Sequence, residues 1–209
     1  MEHFAKEKNL WDGKNKLNFA ETFQQSSVCD RLTAGRKLLD DLTKNGNFSV
    51  FDMISILRDE QAGICMIDNS GHGYTTTGSQ VSVLTSTVDK KKSHVDACHF
   101  FTATPNPQTS LFKPFIFSEN VQLGPLTISS PSEVTSQRVH PLYSAHGKAS
   151  FEQLNDKRLK DFEHEGIMEI INRLKSTEEN QSDTYETLFH DTVAAEIELL
   201  REHPKNKRS

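Results

Sequence analysis

The sequence predicts a layered α+β fold, in which a central sheet is covered by helices and is followed by a pair of C-terminal helices. Four segments between residues 63 and 117 have the composition of strands. Residues 63–67, 97–103 and 111–117 are apolar at nearly every position, which is typical of strands buried on both faces. Residues 75–88 instead alternate between apolar and polar side chains. A sheet built mainly from strands that are buried on both faces needs a covering layer on each side.

Composition sets limits on the class of protein. The 209 residues are enough for one domain of ordinary size or slightly more. The net charge of -5 gives no general basic surface for nucleic acid. Three cysteines without paired spacing favour a reducing compartment. The sequence shows neither an apolar signal region nor a long apolar segment, so we expect a cytoplasmic protein without a membrane span.

The N-terminal third is predicted to be helical. Its helices are expected over residues 2–8, 17–23, 27–44 and 49–58. Apolar residues recur at spacings of three and four in the third of these, and Asn45-Gly46 ends it. Ser49 is the expected N-cap of the fourth. The first helix has no capping residue before it, which we interpret as a chain that begins inside a larger protein.

The C-terminal third is predicted to pack on the sheet as a helical hairpin. Residues 1–143 form the sheet-containing part, and residues 118–143 of it read as a connector. Two apolar stripes within residues 144–203 predict two antiparallel helices, separated by a polar break at 176–182. Residues 204–209 are predicted to be disordered.

The helical region is acidic. Residues 145–203 carry 14 acidic and 7 basic side chains. Such a charge excess is more often a solvated face than an interaction surface. Protein partners that bind through these helices nevertheless remain an open alternative.

The cysteines are predicted to be core residues. Cys65 and Cys98 fall in apolar strands, where a free thiol has a raised pKa and behaves as a small hydrophobe. Cys29 lies beside the apolar stripe of its helix. Cys98 and His99 cannot form a catalytic dyad, because adjacent strand residues point to opposite faces.

The other candidate motifs favour structural roles. The nine histidines show no metal-binding spacing, and we expect neither a metal nor a cofactor. Gly71-His72-Gly73 joins two predicted strands and is interpreted as a hairpin turn. Lys90-Lys91-Lys92 is interpreted as a solvated loop. The hydroxyls of residues 75–79 fit a polar site about as well as they fit the β-propensity of threonine.

The central segments resemble the C-terminal half of the secernins. The segments that carry the resemblance are Trp11–Lys14, Asn18–Ala20, Gly63–Met66, Thr76–Leu84 and Cys98–Phe117. Ser110-x-Phe112-Lys113-Pro114-Phe115 is the longest specific motif among them. The resemblance covers residues 1–117, and the helical region is similar only in its pattern.

The resemblance implies a chemistry and a fold. Secernins are related to bacterial cysteine dipeptidases of the N-terminal nucleophile hydrolase class. The resemblance therefore implies an αββα sandwich and a cysteine nucleophile near the family's N-terminus, with the α-amino group of that cysteine as the base. This chain is about half the family's length, and none of Cys29, Cys65 and Cys98 matches that cysteine. No catalytic residue is carried over.

Substrate-side residues are a separate expectation. Four hydroxyl residues of the matching segments are our candidates for one wall of a substrate pocket: Thr76, Thr77, Ser79 and Thr104.

Two functions follow as hypotheses. The first is a fragment of a peptidase-like amide hydrolase, which binds a peptide or amide substrate only when the nucleophile-bearing half completes it. The alternative is a non-catalytic cytosolic binding protein that regulates secretion, because the family is linked to regulated exocytosis. Half of a sandwich is also expected to expose sheet surface and to associate.

Overall fold

The fold was analysed in a computed structural model, which describes residues 1–23, 30–67, 75–85, 97–129, 139–175 and 185–202. The helices are α1 (Glu2–Glu7), α2 (Phe19–Phe23), α3 (Asp30–Thr43), α4 (Val50–Leu57), α5 (Pro141–Lys148), α6 (Phe151–Leu154), α7 (Lys157–Lys175) and α8 (Leu188–Arg201). The strands are β1 (Gln80–Leu84), β2 (Ala97–Phe101) and β3 (Lys113–Phe115). Within these ranges, no helix is long and apolar enough to cross a membrane.

The protein is of the α+β class, and its sheet is small and antiparallel. The strands lie in the order β1-β2-β3, so β2 is central. In the register, Val81 of β1 is opposite Phe100 of β2, and Phe100 is opposite Pro114 of β3. Three of the four predicted strands are therefore present, although each is shorter than the segment predicted for it.

The predicted strand at residues 63–67 is wrong, because these residues form turns. The Ile64 and Cys65 amides both donate to the Asp59 carbonyl, at 3.1 and 2.8 Å, just beyond the end of α4. Gly63 has a φ of +66°, a left-handed conformation that does not fit a strand. Cys65 is nevertheless buried, so the apolar composition of the segment reflects burial in a turn.

One face of the sheet carries the main core. Cys98 and Phe100 of β2 lie on this face with Val81 of β1. They pack against Ile54 of α4 and against the part of the buried stripe of α7 that contains Ile167, Ile170 and Leu174. Burial of these side chains supplies the main driving force for the fold.

The other face is covered only in part. Phe101 and Phe115 pack against Phe189 and Val193 of α8, and Leu142 of α5 completes this second cluster. Beyond it, the same face exposes Leu84 at 72% and Phe117 at 73%. The expectation of cover on both sides therefore holds on one face and on part of the second.

The N-terminal helices lie close to their predicted bounds, but the apolar stripe of α3 is not buried: this helix has no buried residue, and Leu32 and Leu39 are exposed. In α4, the Ser49 hydroxyl accepts from the Asp52 amide at 3.2 Å, and the Asp52 carboxylate accepts from the Ser49 amide at 2.7 Å. This capping box confirms Ser49 as the N-cap. Gly46, with a φ of +72°, follows the end of α3 as predicted. The predicted start of that helix at residue 27, and Cys29, lie outside the described residues.

The C-terminal region contains more helices than the two that were predicted. Pro141 begins α5 within the predicted connector, and the ring nitrogen Nδ1 of His140 accepts from the Tyr143 amide at 3.1 Å. Proline fits this first helical position because the amide it lacks has no partner inside the helix. A short α6 then precedes α7. The predicted turn at residues 71–73, the loop at 90–92 and the tail at 204–209 lie outside the described residues.

The two long helices, α7 and α8, take up the predicted apolar stripes but pack on different clusters. α7 joins the main core, whereas α8 joins the second cluster, and both contact β3. They meet at Leu159 and Leu200, which pack with Leu111 before β3. The edge strand β3 is thus held between the two helices.

We predict that Ser49→Ala lowers the free energy of unfolding by about 1 kcal/mol, because it removes the hydroxyl that accepts from the Asp52 amide. Urea unfolding followed by circular dichroism measures the change. Ser55→Ala is the matched control, since its hydroxyl only donates to the Asp52 carbonyl within the same helix. An equal loss in both variants would contradict a specific role for the cap.

Candidate functional site

The segment that carries the most specific resemblance is the most deeply buried stretch among the described residues. Ser110, Leu111, Phe112 and Lys113 are each at most 1% exposed. The preceding turn is organised by Asn106, which has a φ of +61°. Its carbonyl accepts from the Ser110 amide at 3.1 Å. Within the motif, residues 110–112 end the connection from β2 and Lys113–Phe115 form β3, at the centre of the described fold.

The hydroxyl residues predicted to line a substrate pocket are mostly engaged within the protein. The Thr76 hydroxyl accepts from the Met66 amide at 2.9 Å. Thr104 is buried, and its hydroxyl lies 2.7 Å from that of Ser110. Ser79 is half-buried and donates its amide to the Thr102 hydroxyl at 3.0 Å.

Thr77, by contrast, is exposed. The described bonds of Thr76 and Thr104 hold backbone turns together. A role of these four residues in substrate binding stays a prediction.

A first buried ion pair ties α4 to α7. The Arg58 guanidinium donates two hydrogen bonds of 2.8 Å to the Glu163 carboxylate. It also donates to the carbonyls of Pro107 and Ser110, at 2.7 and 2.9 Å. Glu163 in turn accepts from the Phe112 amide at 2.7 Å. Two helices and the motif are thereby joined at one point.

A lysine lies beside this junction. Lys160 of α7 donates its ammonium to the Gln108 carbonyl at 2.9 Å. Burial lowers the pKa of Lys160 to about 8, and the charge of Arg58 acts in the same direction.

A second buried cluster ties β3 to α5 and α8. Lys113 donates to Glu196 at 2.8 Å, and the two side chains are 0% and 1% exposed. The other carboxylate oxygen of Glu196 lies 2.8 Å from Nε2 of His146. Lys113 also donates to the Leu111 carbonyl at 2.8 Å. Every side-chain polar atom that is fully buried in the described part of the chain has a partner.

The charges within this cluster determine the ionisation state of Glu196. Burial by itself raises the pKa of the Glu196 carboxyl, but the Lys113 charge and the His146 hydrogen bond outweigh it and lower that pKa. Burial also lowers the pKa of His140, which precedes α5, and the charges of Lys113 and His146 add to this effect. Glu196 is therefore held as a carboxylate inside the protein.

The described cysteines are not arranged as nucleophiles. Burial raises the pKa of the Cys98 thiol to about 12 and also raises that of Cys65. Cys98 lies in the main core, whereas the ring of His99 is 2.8 Å from the Ser82 hydroxyl on the opposite face. The prediction that Cys98 and His99 form no dyad is confirmed.

The open half of the second face carries a small polar row. Gln80, Ser82 and His99 are joined by contacts of 2.8–3.3 Å, and Phe117 packs edge-on against His99. The Ser82 hydroxyl and the His99 ring lie within hydrogen-bond distance, as the two groups of a catalytic hydroxyl–imidazole pair do. It has no carboxylate orienting the imidazole among the described contacts, so we interpret it as a surface hydrogen bond.

A groove of about 330 Å³ lies between α7 and α8 over the edge of β3. Its apolar lining includes Phe112, Ile170 and Leu188. Its rim carries Glu169 and Asp191, whose side chains are 60% and 67% exposed. Within the described ranges, no cluster of three or more histidine, cysteine, aspartate or glutamate side chains is placed to hold a metal ion.

Comparison with known proteins does not assign the chain to a family. No protein-family model matches the chain, and no solved structure matches it.

Sequence reasoning missed the residues that form both ion pairs. Glu163 shares the buried stripe of α7 with Leu159 and Ile167, and Glu196 shares that of α8 with Val193 and Leu200. A carboxylate at a stripe position predicts a buried cation, because an unpaired buried charge is costly. Lys113, which lies within an otherwise apolar strand, was the sequence feature that could have identified this buried cation.

We predict that Lys113→Met lowers the free energy of unfolding by about 3–5 kcal/mol, because it leaves Glu196 buried without its cation. The double variant Lys113→Met/Glu196→Leu should recover most of the loss, since it removes both charges. Urea unfolding of the four proteins in this double-mutant cycle provides the measurement. Additive losses would show that the two charges do not depend on each other.

We also predict a pH dependence from Glu196. Its pKa is lower in the folded chain than its ordinary value of about 4.5, so the folded state binds this proton less tightly. Its stabilisation is complete above that ordinary value and is lost as the pH falls through the lower folded pKa. The stability difference between wild type and Glu196→Gln should therefore narrow below about pH 4.5.

Urea unfolding at a series of pH values tests this. Glu198→Gln is the control, because Glu198 is exposed on the same helix. A difference for Glu196→Gln that stays constant down to pH 2–3, on the order of two units below the ordinary glutamate pKa, would contradict the proposed ionisation.

Proposed function

We propose that this chain is a secernin-like protein, related to the N-terminal nucleophile cysteine dipeptidases, and that it supplies the scaffold and not the nucleophile. One observation carries the proposal. The Ser110–Phe115 motif is the point at which α4, α7 and α8 are tied to the sheet, through Glu163 and Glu196. A buried segment with these contacts tolerates few substitutions. Its resemblance to a secernin motif therefore lies where the structure restricts the sequence most strongly.

The open half-face of the sheet supports the αββα architecture within this proposal. Leu84 and Phe117 are exposed on that face, while the opposite face is buried under α4 and α7. A monomer rarely leaves large apolar side chains together in water without a partner for them. We propose that a second sheet packs there when the amide hydrolase is complete.

The environment of the cysteines supports a scaffold role. A thiolate is the nucleophilic form, and both described cysteines are buried with raised pKa values. The proposed enzyme therefore takes its nucleophile from an N-terminal cysteine outside the matching segments. The substrate is a peptide or another amide.

The reactivity of the cysteines tests the scaffold role. In the native chain, iodoacetamide should modify Cys65 and Cys98 only slowly, and at the full rate after unfolding, as mapped by mass spectrometry. Cys65→Ser and Cys98→Ser should leave any dipeptide hydrolysis unchanged. Rapid native labelling of either thiol together with loss of hydrolysis in its serine variant would contradict the proposal.

The family assignment has its own test. The cellular protein can be captured after denaturation with an antibody against residues 102–117, and its intact mass and N-terminal residue can be read. The proposal expects a polypeptide about double this length that begins with cysteine. A protein with the mass of this chain alone, beginning at Met1, would contradict the peptidase assignment.

The groove between α7 and α8 favours a second candidate function, a non-catalytic binding protein that regulates secretion. It has an apolar floor, and its rim carries the exposed carboxylates of Glu169, which is ion-paired with Arg173, and of Asp191. Such a groove fits an amphipathic segment. In cells depleted of the protein, Glu169→Lys/Asp191→Lys should fail to restore regulated exocytosis. Glu198→Lys, exposed on α8 but outside the groove, should restore it like wild type, and equal rescue by both variants would remove this candidate.

A further inference from the structure

We propose that the outer edge of β1 is an interaction surface, on which a second copy of this chain adds its own β1 in antiparallel fashion. The product is a continuous six-stranded sheet across a two-fold axis. This interface goes beyond the proposed function, because it concerns an edge of the sheet and neither the nucleophile nor the substrate.

The two edges of the sheet differ in their protection. On β3, Pro114 is opposite Phe100, while its neighbours Lys113 and Phe115 are opposite Phe101 and His99. Proline has no amide hydrogen, so the outer edge of β3 lacks a donor at its central residue. The helices α7 and α8 also contact this strand. A further strand is therefore disfavoured at β3.

The strand β1 contains no proline, and the helix that contacts it, α4, packs on its main core face. The Thr102 amide donates to the Ser79 carbonyl at 3.1 Å, which makes this pair a hydrogen-bonded one. Antiparallel pairs alternate, so Val81 and Val83 bond to β2. The backbone groups of Gln80, Ser82 and Leu84 consequently point outward.

Nothing in the described part of the chain occupies this outward row of backbone groups. The described backbone hydrogen bonds include none to the outer edge of β1. The strand itself, Gln-Val-Ser-Val-Leu, contains no proline and no charged residue. Natural sheets usually block such an edge with a charge, a proline or a bulge, and an unblocked edge pairs with another strand.

The sequence of β1 selects a second copy as the occupant. With Ser82 opposite Ser82 on the two-fold axis, Val81 is opposite Val83 and Gln80 is opposite Leu84. An isologous contact places each residue opposite its register partner in the second copy, and the residue on the axis opposite itself. This strand has no charge to repel, and its two valines form β-branched cross-strand pairs.

The pairing also covers exposed surface. Leu84 is 72% exposed at one end of β1. In the proposed register, the aliphatic part of Gln80 from the other copy lies beside it. The valines of the two copies extend the main core face, on which α4 packs, across the axis.

The test compares variants of Ser82 by analytical ultracentrifugation over a hundredfold range of concentration. Ser82→Pro removes the outward amide while leaving the bonds of Val81 and Val83 to β2. Ser82→Lys places two like charges on the axis. Wild type and Ser82→Ala should dimerise, while the other two variants should raise the dissociation constant at least about tenfold, which corresponds to about 1.4 kcal/mol.

Circular dichroism melting shows which variants remain folded, and Ser82→Lys keeps the test valid if Ser82→Pro unfolds. A wild-type monomer at every concentration would overturn the proposal. Association that Ser82→Lys leaves unchanged would also overturn it, because the contact would then lie elsewhere.

Disulfide trapping fixes the register independently. Ser82→Cys should cross-link to itself under mild oxidation, because the two positions face each other across the axis. Gln80→Cys should not cross-link to itself but should do so when mixed with Leu84→Cys. Cross-linking of Gln80→Cys to itself in preference to that mixture would contradict the two-fold pairing.

Discussion

The buried pair of Lys113 and Glu196 is the constraint on which the described fold depends. Lys113 lies in a strand of the sheet and Glu196 in the last helix, and neither side chain reaches solvent. Removing Lys113 would leave the buried Glu196 with His146 but without the lysine charge, and removing Glu196 would leave the Lys113 ammonium with the Leu111 carbonyl but without a counter-charge, at a cost of several kcal/mol. β3 and α8 therefore keep their buried positions together, and Arg58 with Glu163 links α4 and α7 to the same motif.

These bonds also limit what the described residues can do chemically. The buried cations and carboxylates already have partners within the protein, and the two described thiols are kept protonated by burial. Two of the surfaces that remain available to a partner are the open half-face with the edge of β1, and the groove between α7 and α8. Both carry apolar side chains, which suits association.

Periodicity predicted the long helices, the Ser49 cap and three strands, because local patterns decide those features. It failed at residues 63–67, where a left-handed Gly63 and the Asp59 carbonyl turn an apolar run back on itself. It also did not show that the Thr76 and Thr104 hydroxyls bond within the protein. Those bonds depend on which segments meet in space, and spacing along one chain does not contain that information.

Native-state hydrogen exchange at neutral pH is the most direct measurement of whether the ion pairs make sheet and helices one unit. If they do, the slowest amides of α8 and of β2 should share one opening free energy, equal to that of global unfolding. They should also lose protection together in Glu196→Gln. Exchange of α8 at a much lower free energy, while β2 stays protected, would contradict the central role given to Lys113 and Glu196.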